Sequence, residues 1–254
     1  MLIIYDFICY TDVFTDNITT LESLLIYAMK TITYQSDYLG NGFEFATINQ
    51  PDDYEGKVVA TVIRKQCSMP SNKAVLYVHG FNDYFFQSDM AHRFNEKEYH
   101  FYAIDLRKYG RSTLPHQKSN NMRSLTEYFA DLDEALDIIR QEGNEQVLLS
   151  GHSTGGLLVT LYASERVGNE KFDTIFCNSP FYDMNMPGYQ KRLLVPLVAL
   201  FGKYFPDVLL PGKISEWYGH SLHGEKKGEW DYNLVWKPHL VPALNAGWIS
   251  AIHQ

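Results

Sequence analysis

The feature that most constrains this chain is a glycine-rich turn between a buried strand and an apolar helix. The sequence GHSTGG occupies residues 151–156, directly after the apolar run 147–150 and before the apolar run 157–163. A strand that passes into a helix so abruptly strains its middle residue and lifts that side chain clear of the sheet. Gly151 and Gly155 permit the turn, because larger side chains would collide with neighbouring backbone. The pattern predicts Ser153 as an exposed nucleophile at the end of a strand.

The rest of the chain alternates between short β-branched or aromatic runs and longer helical periodicities. This alternation predicts an α/β fold, with a mostly parallel sheet covered by helices on both faces. Strands are predicted at 42–48, 57–64, 74–78, 100–104, 146–150 and 174–178. The first two flank a polar turn, which predicts an antiparallel pair.

One helix is marked more clearly than any other. An apolar stripe at helical spacing runs through Leu125, Tyr128, Phe129, Leu132, Leu136 and Ile139. Ser124 and Glu127 form a capping-box pattern at its start, and Gly143 is placed to end it.

Composition narrows the function classes. A chain of 254 residues with 45% apolar residues can form one large domain, or one domain with a sizeable insertion. Its net charge of −8 argues against nucleic acid or an anionic membrane as a partner. The apolar run at 193–201 is far shorter than the roughly 20 residues that cross a bilayer, so no stable membrane insertion is expected.

Three cysteines, Cys9, Cys67 and Cys177, have spacings that suit neither a zinc site nor a disulfide framework. Residues 1–10 are apolar but have no basic leader, and Asp6 interrupts them, so they predict neither a signal peptide nor a membrane span. We therefore expect a reducing, cytoplasmic location.

A second motif ends the strand predicted at 74–78. It reads LYVHGFN over residues 76–82. Acyl transfer forms a tetrahedral oxyanion, and backbone N–H groups aimed at it stabilise the transition state. Phe81 and Thr154 are the predicted N–H donors, and His79 is expected to shape the loop rather than act as a base. Gly80 alone is equally compatible with an ordinary turn.

Four segments together resemble the α/β-hydrolase superfamily, in the branch that includes monoacylglycerol lipases, lysophospholipases and serine aminopeptidases. They are VLYVHGF at 75–81, DLRKYGRS at 105–112, GHSTGG at 151–156 and NSP at 178–180. Their order and spacing agree from about residue 42 to residue 183. The resemblance implies a nucleophile at Ser153, an oxyanion hole at Phe81 and Thr154, and a cap inserted after residue 178. It also implies that the 105–112 loop braces the rim of the site, as a salt-bridged structural loop.

The partners of the serine are not identified by the same patterns. A serine hydroxyl needs a base and an orienting carboxylate, which the family places after the cap in the order acid, then histidine. The histidines after Ser153 are His220, His223, His239 and His253, and none follows a predicted strand. They are expected to be solvated or packed in the cap.

Among the carboxylates after Ser153, Asp183 is the candidate acid, because some members of the superfamily carry it after this earlier strand. Asp207 and Asp231 are weaker candidates, since both lie in cap-like sequence. His152 is expected to pack in the core rather than serve as the base of its neighbour. Either the chain is a truncated part of a longer enzyme, which we expect, or a divergent member has lost its base.

The predicted organisation is a core at 1–180 with an N-terminal extension at 1–40, a cap at 181–240, and a truncated return to the core at 241–254. The cap is rich in aromatic residues, which either dock it on the sheet or line an acyl pocket. Its residues 193–201 carry a helical apolar stripe that Pro196 is expected to break early.

The resemblance and Ser153 together imply a serine hydrolase that cleaves carboxylic esters through an acyl-enzyme. The expected substrate is a small ester or thioester with an apolar group, and no cofactor or metal is implied. A peptidase or acyltransferase that uses the same serine is an alternative, and so is a non-catalytic binding protein of the same fold. Haloalkane and epoxide chemistry on this fold uses an aspartate nucleophile, so Ser153 argues against both.

Overall fold

A mixed β-sheet of seven strands forms the centre of the described protein. The computed structural model describes residues 32–168, 170–210, 216–241 and 243–254. The strands are Gln35–Ser36 (β1), Glu44–Asp53 (β2), Gly56–Lys65 (β3), Lys73–Val78 (β4), His100–Asp105 (β5), Gln146–His152 (β6) and Thr174–Asn178 (β7). They lie in the order β1-β2-β3-β5-β4-β6-β7 across the sheet. All six strands predicted from the sequence are present.

The amino-terminal strands of the sheet are antiparallel. The predicted antiparallel pair is confirmed as β2 and β3, and β3 also runs antiparallel to β5. The short strand β1 extends this side by pairing with β2. The predicted N-terminal extension, 1–40, therefore contains a strand of the sheet near its end. Residues 1–31, which include Cys9 and the apolar start of the chain, lie outside the described residues.

The other half of the sheet is parallel and aligns three loops at one edge. Strand β4 pairs in parallel with β5 and β6, and β6 pairs in parallel with β7. The register places Val78 opposite Gly151 and His152 opposite Asn178. Because parallel strands end at the same edge, the segments that follow β4, β6 and β7 lie side by side.

Six α-helices are described around this sheet. They are Ser88–Asn95 (α1), Phe129–Gln141 (α2), Thr154–Glu165 (α3), Gly188–Tyr204 (α4), Trp217–Leu222 (α5) and Ala246–His253 (α6). The predicted helix with a capping box begins as a 3₁₀ turn, Leu125–Tyr128, and continues as α2. Both reciprocal hydrogen bonds between Ser124 and Glu127 are present.

Both faces of the central strands are buried. Val75 and Tyr77 of β4 pack in a cluster with Ala91 of α1. Because side chains alternate along a strand, Leu76 and Val78 point to the opposite face, and neither is exposed to solvent. Each fully buried side chain of this kind contributes about 1.5–3 kcal/mol to folding. The near-continuous apolar sequence of these strands follows from this double coverage.

The loop after β5 is held by buried ion pairs, as predicted. Two nitrogens of the Arg107 guanidinium bind the carboxylate of Asp131 in α2. The Nζ of Lys108 lies 2.6 Å from a carboxylate oxygen of Asp53. The guanidinium of Arg111 lies 2.8 Å from the carboxylate of Asp105. Burial raises the pKa of the Asp131 carboxyl above its ordinary value, although Arg107 opposes that shift. The loop is therefore a rigid structural brace.

The expected helix break at Pro196 is wrong. Helix α4 runs continuously from Gly188 to Tyr204 with Pro196 inside it. An internal proline costs about 3 kcal/mol, because one backbone hydrogen bond is lost and the ring crowds the preceding turn. Packing of α4 against α6, with Val195 and Ala199 among its buried residues, offsets that cost. The predicted apolar stripe is exposed instead, with Leu193 and Leu197 about two-thirds accessible.

Among the described helices, none combines the length and apolarity needed to cross a bilayer. Cys67 and Cys177 are both free thiols.

The Arg107–Asp131 pair provides a test of the brace. We expect Asp131→Ala to lower the free energy of unfolding by about 3–5 kcal/mol, because it leaves a buried guanidinium unpaired. Asp137→Ala removes a half-exposed carboxylate from the same helix, where it pairs with Lys171, and should cost about 0–1 kcal/mol. Urea denaturation of both variants measures the difference. Equal losses would contradict the assignment of the brace.

Candidate active site

Ser153 occupies the strained turn that the sequence predicts between β6 and α3. Its backbone dihedrals are φ 54° and ψ −120°, a conformation that non-glycine residues rarely adopt. Such strain is typical of functional positions and persists only where the surroundings fix it. Ser153 is also the residue that precedes the first turn of α3, so the positive end of the helix dipole lies beside it.

Two glycines make the turn possible. A Cβ at Gly151 would lie 2.4 Å from the carbonyl oxygen of Gly155. A Cβ at Gly155 would lie 2.4 Å from the carbonyl oxygen of His79 and 2.5 Å from that of Val78. Helix α3 therefore begins in direct contact with the end of β4, which is possible only without side chains at these positions.

Backbone hydrogen bonds hold Ser153 from both sides. Its N–H donates to the carbonyl oxygen of Asn178 at 3.1 Å, which ties the turn to the end of β7. Its carbonyl oxygen accepts from Gly156 at 2.9 Å and from Phe181 at 2.9 Å. The strained conformation is thus fixed by the helix and by the segment that follows β7.

The loop after β4 approaches the serine closely. A Cβ at Gly80 would lie 3.0 Å from the Cβ of Ser153. His79 is buried, and its Nε2 accepts the N–H of Leu106, so its Nδ1 carries the proton and donates to the carbonyl oxygen of Gly80 at 2.8 Å. His79 therefore shapes this loop, as predicted, and has no nitrogen left for a proton-transfer role.

Two backbone donors are unused at this edge. Neither the N–H of Phe81 nor that of Thr154 donates a hydrogen bond to any described residue. Gly80 contacts the Ser153 side chain and precedes Phe81, while Thr154 directly follows the serine. This arrangement leaves two N–H groups available to an anionic ligand at Ser153.

A cavity of about 590 Å³ opens at Ser153. Much of its lining is apolar and comes from the segments around β7, α5 and α6, as Phe181, Met184, Met186, Tyr218, Trp248 and Ile249 show. Its polar lining includes Asn82, Asp83, His152, Lys237 and His239. Such a mostly apolar cavity with a few polar groups is typical of a small-molecule site.

His152 contributes an imidazole to the cavity wall rather than to the core. It is partly exposed, and its ring forms no hydrogen bond with a described residue. Burial lowers the pKa of His152, and the nearby positive charge of Lys237 adds to that shift, while Asp83 opposes it. The side chain is therefore neutral at pH 7. The expectation of core packing is wrong, because the turn directs the residue before Ser153 into the cavity.

The Ser153 hydroxyl forms no hydrogen bond with a described side chain, so no described histidine is in place as its base. His223 is buried between the carbonyl oxygen of Tyr232 and the N–H of Glu225. His220 and His223 each pack edge-on against His239, with ring centroids 5.0 and 5.1 Å apart. His253 ends α6 and lines a separate small cavity.

The candidate acid Asp183 lies on the surface. Its carboxylate binds the ammonium of Lys191 and the N–H of Met184, and the Lys191 hydrogen bond lowers its pKa. No described histidine is hydrogen-bonded to it, so its role as the acid stays a prediction. Asp207 pairs with Lys118 at 3.0 Å, and Asp231 is fully exposed.

The aromatic residues of 181–240 divide into three groups. Phe181, Tyr218 and Tyr232 line the cavity. Trp236 docks on the core, with its ring 5.2 Å from that of Tyr84. Others are exposed, including Tyr182, Tyr189, Tyr204, Phe205, Trp217 and Trp230. Some of these residues therefore dock on the core and others line the cavity, while an acyl group as its occupant stays a prediction.

Sequence patterns did not identify Asp83, Lys237 or Trp248 as cavity residues. Asp83 lies two residues after Phe81, which is the only signal that associated it with the site. Lys237 and Trp248 reach the cavity only through the tertiary packing of the carboxyl-terminal segments. Among the described residues, no group of three or more histidine, cysteine or acidic side chains is arranged to hold a metal ion.

Comparison with protein families finds one match over most of the chain. A model of the family described as serine aminopeptidase, S33, matches residues 69–229. The mouse (Mus musculus) protein named epoxide hydrolase 4 is 34% identical over 90 residues, which is 35% of this chain and 23% of the mouse protein. The chain thus spans about a quarter of that curated relative.

Solved structures share the fold. A monoacylglycerol lipase of Paleococcus ferrophilus superposes with a TM-score of 0.54 at 19% identity, over 76% of this chain and 68% of the lipase. A soluble variant of monoglyceride lipase from Saccharomyces cerevisiae gives 0.55 at 17% identity, over 89% and 68%. A carboxyl esterase from Bacillus coagulans gives 0.52 at 17%, over 64% and 51%. These similarities confirm the predicted fold class.

The close contact at Gly155 provides a test of the turn. Gly155→Ala forces a methyl group against two carbonyl oxygens, so we expect it to lower the free energy of unfolding by about 1–3 kcal/mol. Gly188→Ala, at the start of α4, meets nothing within 4 Å and should be neutral or slightly stabilising. Thermal or urea unfolding compares them, and a neutral Gly155→Ala would show that the turn is looser than described.

Proposed function

Because the chain belongs to the serine aminopeptidase S33 family of α/β-hydrolases, we propose that it is a serine hydrolase acting on carboxylic esters. Ser153 is the nucleophile and forms an acyl-enzyme, which water then hydrolyses. Phe81 and Thr154 supply the backbone N–H groups of the oxyanion hole. Residues 181–240 form a cap over the cavity.

The observation that carries this proposal is the position of Ser153 beside two unused backbone N–H groups. Attack of the serine oxygen on an ester carbonyl moves negative charge onto the carbonyl oxygen. Donors fixed before the reaction stabilise that charge without reorganising, at about 3–4 kcal/mol for each donor. The amino end of α3 favours the same charge.

The cavity supports an apolar acyl or aryl group in the substrate. Phe181, Trp248 and Ile249 provide apolar surface in the same cavity as the serine. An ester or thioester with an apolar group would bury that group there, while its carbonyl reaches Ser153.

The free thiols Cys67 and Cys177 support a reducing compartment such as the cytoplasm.

Catalysis also requires a general base and an orienting acid, which the described residues do not place at Ser153. The family resemblance assigns these roles to an acid and a histidine after the cap. A non-catalytic protein that binds an apolar ligand in the same cavity is therefore the second candidate. The observation that favours it is the absence of a described imidazole hydrogen-bonded to the serine.

Three other chemistries are separated from ester hydrolysis, one by the nucleophile and two by substrate comparison. Epoxide opening on this fold uses an aspartate nucleophile, whereas this chain has Ser153 in the turn. A peptidase or an acyltransferase would use the same serine. Comparing p-nitrophenyl esters, aminoacyl anilides and alcohol acceptors distinguishes those two from an esterase.

The nucleophile is tested with a fluorophosphonate probe and an ester substrate. We expect the probe to label the protein at Ser153, and Ser153→Ala to lose labelling and at least about a thousandfold of ester hydrolysis. Ser179→Ala is the matched control, because Ser179 also has positive φ and follows a parallel strand at the same sheet edge. It should retain both activities.

Labelling that persists in Ser153→Ala would exclude Ser153 as the nucleophile. A folded wild-type protein that binds fatty acids or alkyl alcohols but neither reacts with the probe nor hydrolyses esters would support the binding protein instead.

A further inference from the structure

The loop that carries the proposed oxyanion donor Phe81 is fixed from the core most firmly at its two ends. At its start, His79 donates to the carbonyl oxygen of Gly80 at 2.8 Å. At its end, the N–H of Phe85 donates to Asp105 at 2.8 Å. Between these points Asn82 adopts φ 48°, a conformation that favours glycine, and its Oδ1 accepts a long hydrogen bond from Nδ2 of Asn120 at 3.4 Å, so the middle of the loop needs further support.

That support comes from residues 232–238, here called the clamp segment. The Nζ of Lys237 donates to Oδ1 of Asp83 at 2.7 Å, and both side chains are more than nine-tenths buried. The N–H of Asn233 donates to the hydroxyl of Tyr84 at 2.6 Å. The two neighbouring residues Asp83 and Tyr84 are therefore both held by the clamp segment.

Aromatic packing surrounds the ion pair. The rings of Phe86 and Tyr232 lie 5.0 Å apart, and the Lys237 ammonium lies 5.0 Å from the first and 5.2 Å from the second. Two aromatic faces thus shield the charge of Lys237 from water, which strengthens its attraction to Asp83. Oδ1 of Asp83 also accepts the N–H of Tyr84, so the ion pair fixes the backbone as well as the side chain.

From these contacts we infer that Lys237 is a positioning residue, which acts through Asp83 to hold the Phe81 N–H in place beside Ser153. The inference rests on the proposed function, because it assigns a consequence to the oxyanion role of Phe81. Lys237 lies in the proposed cap, so the same segment both covers the cavity and aligns the oxyanion hole. With the clamp segment displaced, Ser153 keeps its turn but loses one aligned donor.

Lys237 and Asp83 belong to the polar lining of the cavity, but each exposes less than a tenth of its side chain. The pair therefore offers a substrate little surface compared with the apolar lining at Phe181, Trp248 and Ile249. An oxyanion donor acts on the transition state more than on the bound substrate. Loss of Lys237 should therefore lower kcat and leave KM nearly unchanged.

The test compares Lys237→Met with Lys237→Arg and with Lys226→Met. Methionine keeps an unbranched apolar stem against the aromatic rings but removes the charge, and arginine restores the ion pair. Lys226 is an exposed lysine in the same part of the chain. We expect about a 10- to 100-fold lower kcat for Lys237→Met with KM within about threefold, and much smaller effects for the other two.

A wild-type kcat in folded Lys237→Met, or a raised KM with unchanged kcat, would overturn the inference. If Lys237→Met does not fold, Asp83→Asn is the second variant. It keeps an oxygen that can accept from Lys237 but weakens the ion pair, so a smaller loss of kcat at constant KM is expected, and no loss would again overturn the inference.

Amide hydrogen exchange tests the same inference without activity. We expect the peptide covering residues 80–86 to exchange at least about tenfold faster in Lys237→Met, or in Asp83→Asn, than in wild type or Lys226→Met. Unchanged exchange would overturn the inference even if the wild type proves inactive. An inactive wild type with the expected exchange difference would instead overturn the proposed function and retain the clamp.

Discussion

The site depends on one close backbone contact, in which the start of α3 touches the end of β4 at Gly155. A side chain of any size there would meet two carbonyl oxygens at about 2.4–2.5 Å. The same contact brings the loop after β4 against the Ser153 side chain. The strained serine and the two unpaired N–H groups are therefore products of one packing arrangement, which the parallel register of β4 with β6 sets.

A second constraint comes from the carboxyl-terminal segments. They supply part of the apolar lining and Lys237, which forms a buried ion pair with Asp83 of the loop after β4. A buried ion pair is costly to desolvate, so it contributes more to a defined geometry than to net stability. Asp83 lies in the loop that carries Phe81, and the proposed oxyanion hole requires the N–H of Phe81 in a defined position.

The sequence predicts the strands and the nucleophile turn well, because both follow from local patterns. The buried strands have apolar runs of the right length, and the glycines around Ser153 stand between a predicted strand and a predicted helix, which favours a nucleophile turn over an ordinary tight loop. The sequence does not predict helix α1, since it is only eight residues long and mostly polar, and Ala91 is its only fully buried residue. The continuity of α4 through Pro196 could not be predicted either, because contacts with α6 outweigh a local preference.

The cavity residues also divide into those with a local sequence signal and those placed only by tertiary contacts. Phe81 and Thr154 could be named from the motifs, whereas the pairing of Asp83 with Lys237 joins residues 154 positions apart. No spacing rule predicts such a contact, and a lysine before a proline looks like an ordinary surface residue. His152 was expected in the core, since the sequence does not show which way the turn directs its side chain.

The most direct measurement is a crystal structure of the protein after reaction with an alkyl phosphonate ester, which mimics the tetrahedral intermediate. The account predicts phosphorus bonded to Oγ of Ser153, with one phosphonyl oxygen about 2.7–3.1 Å from the backbone nitrogens of Phe81 and Thr154. Phosphorus on another residue, or a phosphonyl oxygen directed away from both nitrogens, would contradict it.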